Sequence, residues 1–109
     1  MDHLDQQALV TLKDVMEDDF ALLINTFFQD SENRLKMLNS LIDSDNQDAI
    51  RRAAHSFKGS CSNVGAPLLA SLCAVLEKKA VANDLDNIKQ NIDVIKAEYE
   101  IVKALLLDL

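Results

Sequence analysis

At 109 residues the chain is long enough for one domain built around a single core, spanning residues 1–109. An apolar share of 49% beside 27% charged residues excludes a disordered chain, and a net charge of −7 argues against nucleic acid or an anionic membrane surface as the partner. No apolar run approaches about 18 residues, so no membrane span is expected, and the opening MDHLDQQALV has neither the basic nor the apolar region of a secretory leader, which points to the cytoplasm.

With only two glycines and one proline, all of them shortly after His55, the chain has few helix breakers and no period-two alternation of β-branched residues. Long helices joined by short turns are therefore expected. A short first helix is predicted over about Asp5 to Met16, with Leu4, Ala8, Leu9, Leu12 and Val15 or Met16 at helical spacing. Glu17, Asp18 and Asp19 offer caps and dipole-matched acids to a second helix reaching about Ile42. Its inward face reads Phe20, Leu23 or Ile24, Phe27, Ser31, Leu35, Leu38 and Leu41 or Ile42, and a polar turn follows over Asp43 to Asn46.

The third helix is predicted over Gln47 to Asn63 and carries His55. At about 100° per residue, Arg51, Lys58, Gly59 and Ser62 root within roughly 60° of His55, with Arg52 on the other flank at about the same limit. Ile50, Ala53, Ala54, Phe57, Cys61 and Val64 fall on the opposite side. His55 is thus aimed away from the apolar stripe, inside a small basic patch.

A neutral imidazole is a nucleophile available near neutral pH. Lys58 adds a compact positive charge suited to phosphoryl oxygens. Gly59 costs about 1 kcal/mol in a helix interior relative to alanine, and its missing side chain would let a partner approach the ring. Each residue also has a plainer reading: an ordinary surface histidine, a glycine that eases helix packing, and two solvated arginines. Yet a local positive patch on an acidic chain suits steering towards an acidic partner. Metal ligation is not expected, because no second His, Cys or carboxylate lies three or four residues away on the His55 face. A Ser–His–Asp hydrolase lacks a nucleophile elbow. His3, near the start of the chain, is expected to have no organised neighbours.

Gly65 is placed to stop the third helix, and Pro67 suits the first turn of a fourth running to about Val81. That helix is expected to bury Leu68 or Leu69, Leu72, Cys73, Val75 or Leu76, and Ala80. Cys61 and Cys73 both fall on apolar stripes; reduced core thiols are one reading and a disulfide or redox switch the other. After a break at Asn83 and Asp84, a fifth helix is predicted from about Leu85 to Leu107, with Ile88, Ile92, Ile95, Tyr99, Val102 and Leu106 as its stripe. The fold class is therefore all-α: an antiparallel up-down four-helix bundle with a short additional N-terminal helix over one end.

The segment AAHSFKGSCSNVGA at Ala53 to Ala66, followed by Leu69, Leu72 and Leu76-Glu77, resembles the histidine-containing phosphotransfer (HPt) domains of bacterial two-component phosphorelays. The acidic-aromatic segment with Phe27 and the long closing helix extend the resemblance over nearly the whole chain. It implies that His55 carries a phosphoryl group on Nε2, that Lys58 assists electrostatically and that Gly59 makes room for the partner. It also implies that Glu77 holds Nδ1–H and exposes Nε2 in the reactive tautomer. The implied partners are response-regulator receiver domains, including the receiver of a hybrid sensor kinase, docking over Arg51, Arg52, Lys58, Gly59 and Ser62. No cofactor of its own is expected, Mg²⁺ being expected on the partner receiver. With no phosphate-binding glycine-rich loop, the chain reads as a carrier that does not phosphorylate itself from ATP. A chain that starts at Met1 and ends on its last helix fits an independent protein, with an excised domain of a hybrid kinase as the alternative; a monomer is expected because the active face must remain free. A receiver-binding module that uses the same face without transferring is the alternative.

Overall fold

The computed structural model describes all residues, Met1–Leu109, and contains five helices and no strand. They are α1 (Gln6–Met16), α2 (Asp19–Leu41), α3 (Gln47–Asn63), α4 (Pro67–Val81) and α5 (Ile88–Leu107). Consecutive long helices run antiparallel, as their cross-links show. Arg34 of α2 reaches Ser56 of α3, Gln47 at the start of α3 reaches Val81 at the end of α4, and Lys79 of α4 reaches Asn91 near the start of α5. Tyr99 and Lys103 of α5 close the ring by bonding Glu32 of α2. The up-down four-helix bundle is the observed architecture.

Helix ends follow local chemistry. Asn46 caps α3, its Oδ1 accepting from Ala49 N at 3.2 Å. Gly65 takes φ 68°, its N–H donating to Ser62 O at 3.2 Å while Ala66 N–H donates to Cys61 O at 2.9 Å. This is the paired C-terminal closure that a left-handed residue permits. Asn83, at φ 54°, closes α4 the same way, through Asn83 N–H to Ala80 O and Asp84 N–H to Lys79 O.

Three expectations at helix starts need correction. Asp5 lies outside α1 as its cap, accepting from Ala8 N at 3.1 Å. Asp18 precedes α2 without a side-chain cap, because its own backbone is already helical, so the acids there act only through the dipole. The fifth helix begins at Ile88 rather than Leu85. Asn87 adopts φ 60°, and Asp86 O accepts from Lys79 Nζ at 2.7 Å, which ties this segment to α4 as a turn.

The core is continuous from Leu4 and Leu9 through α2 to α5. Phe57, Ile50, Leu69, Leu76, Ile92 and Tyr99 are fully buried, each worth about 1.5–3 kcal/mol relative to exposure. Where two neighbours competed for the inward position, Ile24, Leu69 and Leu76 take it over Leu23, Leu68 and Val75. Ser31 is buried as its spacing required, with no partner for its hydroxyl. Cys61 and Cys73 are buried and unpaired as thiols; Cys73 beside it and burial both push the Cys61 thiol far up, which keeps it protonated and unreactive.

The N-terminal segment covers the α3–α4 end of the bundle. Asp5 N–H donates to Gly65 O at 2.8 Å and Leu68 N–H donates to Asp2 O at 3.2 Å. His3 is not isolated: its Nδ1–H donates to Glu98 Oε2 at 2.7 Å, and Glu98 is only 6% exposed. The fold thereby gives a buried carboxylate the partner it requires. No helix is long and apolar enough to cross a membrane.

Candidate functional site

The apolar half of α3 (Ile50, Ala53, Ala54, Phe57, Cys61) is sealed in the core, which turns His55 outward from the middle of the helix. Its ring is 63% exposed. Glu77 lies opposite on α4, brought level with His55 by the antiparallel pairing of the two helices. His55 Nδ1–H donates to Glu77 Oε2 at 2.6 Å, and Lys58 Nζ donates to Glu77 Oε1 at 2.6 Å. A carboxylate is acceptor-only, so Nδ1 carries the proton of a neutral ring and Nε2 is the nitrogen left without a protein partner. Glu77 is 18% exposed. The ammonium of Lys58 first, and the ring of His55 after it, hold its carboxyl below the usual glutamate range against the opposing cost of burial. The Glu77 carboxylate thus meets the ring at Nδ1 and the Lys58 ammonium at its other oxygen.

Gly59 lies one helical turn beyond His55, and a Cβ built there meets nothing within 4 Å. No internal contact requires a glycine at this position, so the clearance faces outward. Ser62 donates to Lys58 O at 3.1 Å, turning its hydroxyl back onto its own helix.

The positive patch is smaller than the helical wheel implied. Arg51 Nη2 lies 3.0 Å from Asp48 Oδ1 and Arg52 Nε 3.0 Å from Asp48 Oδ2, so both guanidinium groups are drawn towards the start of α3. The wheel places side-chain roots; the long arginine heads follow their ion partner. Asp48 was legible in advance, as an acid three and four residues before two arginines. Arg34 was not. From α2 its Nε and Nη2 donate to Ser56 Oγ at 3.1 and 2.7 Å, next to His55, and no local sequence pattern announces that reach. Glu77 does not pair with its sequence neighbour Lys79, whose Nζ bonds Asp86 O and Asn91 Oδ1.

The site thus presents a Nδ1-protonated imidazole, a bridging carboxylate, one ammonium and an open approach. No group of three or more His, Cys, Asp or Glu gathers as a metal site.

A family model described as the Hpt domain matches residues 22–105. The crystal structure of histidine-containing phosphotransfer protein B from Pseudomonas aeruginosa PAO1 is similar to this chain at a TM-score of 0.93 and 40% sequence identity, covering 97% of this chain and 92% of that one. Among curated proteins no match was found.

Proposed function

Since this chain belongs to the Hpt domain family, whose members are phosphocarriers of two-component signalling, we propose that it relays phosphoryl groups through Nε2 of His55, exchanging them reversibly with the aspartate of receiver domains. The observation that carries this reading is the Glu77 bridge. By taking Nδ1–H at 2.6 Å it selects the tautomer whose free lone pair is on the exposed nitrogen.

In the forward step the Nε2 lone pair attacks the phosphorus of an aspartyl phosphate. The N–P bond forms as the P–O bond to the aspartyl carbonyl carbon's oxygen breaks, and that electron pair leaves with the aspartate carboxylate. The ring, still protonated at Nδ1, becomes a cation beside the Glu77 carboxylate, which stabilises the charge where it develops. Return to an aspartate reverses each step. Lys58, held 2.6 Å from Glu77 beside the ring, supplies the neutralising charge for phosphoryl oxygens. The open space at Gly59 lets the receiver bring its phosphate in line. Mg²⁺ belongs to the receiver in this scheme, and the chain acts as a single cytoplasmic, monomeric domain without ATP-dependent kinase activity.

Transfer rather than mere docking is favoured because a docking surface has no need of a carboxylate that fixes a ring tautomer. Incubation with phosphorylated receiver domains tests this directly. Acid-labile label is expected on the native chain and absent from a folded His55→Gln variant; binding without label would establish the non-transferring module instead.

A further inference from the structure

We propose that Asp48 is a positioning residue that limits how strongly the His55 face attracts an acidic partner, by holding Arg51 and Arg52 back from the ring; this rests on the phosphotransfer reading above. One carboxylate engages both guanidinium groups through separate oxygens, each at 3.0 Å. Asp48 stands in the first turn of α3, and helical side chains lean towards the N-terminus. Both arginines are therefore drawn along the helix away from His55, although their roots lie three and four residues from it.

The charge on this face is correspondingly small. The Asp48 trio keeps one net positive charge where the arginines alone would carry two, Lys58 is matched by Glu77, and Arg34, 3.9 Å from Asp30, is matched in turn. The whole chain carries −7, so an acidic receiver surface is repelled at long range. Local attraction is set by what Asp48 leaves unneutralised. Arg51 and Arg52 keep the Asp48 carboxyl below its usual range, so the clamp stays charged across neutral pH. Its charge is not needed to start the helix, because Asn46 already provides the side-chain cap. Arg52 also lines, with Arg34, Met37 and Ser56, a shallow groove between α2 and α3. Holding Arg52 thus fixes the edge of that groove as well as the charge above it.

The test is the rate of phosphoryl transfer from a phosphorylated receiver that labels the native chain, measured against chain concentration at low and at physiological ionic strength. Asp48→Asn is expected to lower the half-saturation concentration by about two- to fivefold at low salt, with kcat unchanged and a steeper salt dependence. Asp48→Glu should restore native behaviour, and Asp48→Asn combined with Arg51→Gln and Arg52→Gln should erase the gain. A purely structural role would not lower the half-saturation concentration. An unchanged or raised value in Asp48→Asn, or a gain that survives removal of both arginines, overturns the proposal while transfer to the native chain stands. A native chain that no receiver labels overturns the phosphotransfer reading, and this inference with it.

Discussion

His55 and Glu77 stand on different helices, yet a single 2.6 Å hydrogen bond from Nδ1 to Oε2 decides which nitrogen of the ring is free. The same carboxylate receives Lys58 at 2.6 Å, so one side chain orients the ring and stores the nearby positive charge. Removing it with Glu77→Ala should slow phosphoryl acceptance from a receiver by about tenfold or more, the usual scale for losing a group that orients a reactive imidazole. Glu77→Gln keeps an acceptor for Nδ1–H without the charge and should fall between. Single-turnover transfer kinetics with both variants separate orientation from charge.

The empty space at Gly59 separates stability from docking. Gly59→Ala should raise unfolding free energy by about 0.5–1 kcal/mol, since the helix gains propensity and meets no clash. Gly59→Gln should keep full helicity and still be phosphorylated by the small donor phosphoramidate, yet accept poorly from receivers. Unimpaired receiver transfer by Gly59→Gln would refute the clearance argument.

Ser31 is a defect in an otherwise apolar layer, its buried hydroxyl lacking a partner. Replacing it with alanine removes the desolvated polar group at little cost in volume. Ser31→Ala should stabilise the chain by about 1 kcal/mol in urea unfolding, without changing transfer.

Acid should weaken the fold through two glutamates. Lys58 and then His55 hold Glu77 below the ordinary value of 4.5. The Tyr99 hydroxyl and then Lys103 do the same for Glu32. The folded chain therefore binds fewer protons than the unfolded one just below pH 4.5, and the stability these groups contribute is complete above that pH. It is lost as pH falls through their folded values. Urea midpoints followed downward from pH 6 should drop, and the combined Glu32→Gln and Glu77→Gln variant should show a shallower decline.

What could be read in advance depended on whether a signal was local. Asn46, Gly65 and Pro67 mark the ends of α3 and the start of α4 by local chemistry, a side-chain cap at the first and backbone preference at the other two, and those boundaries match. A start of α5 near Leu85 is expected from the sequence, but the left-handed backbone of Asn87 places it at Ile88, with Asp86 O bonded to Lys79 of α4. The outward aim of His55 followed from helical periodicity alone. The heads of Arg51 and Arg52 did not, because root angles say nothing of where a long side chain ends. Contacts between distant segments, His3 with Glu98 and Arg34 with Ser56, depend on the packing register of the bundle.

The central claim concerns one atom, and nitrogen–phosphorus NMR on the phosphorylated, ring-labelled chain tests it most directly. Phosphorus coupled to Nε2 of His55, with Nδ1 still carrying its proton, is the predicted result. Phosphorus on Nδ1, or on any residue other than His55, would contradict it.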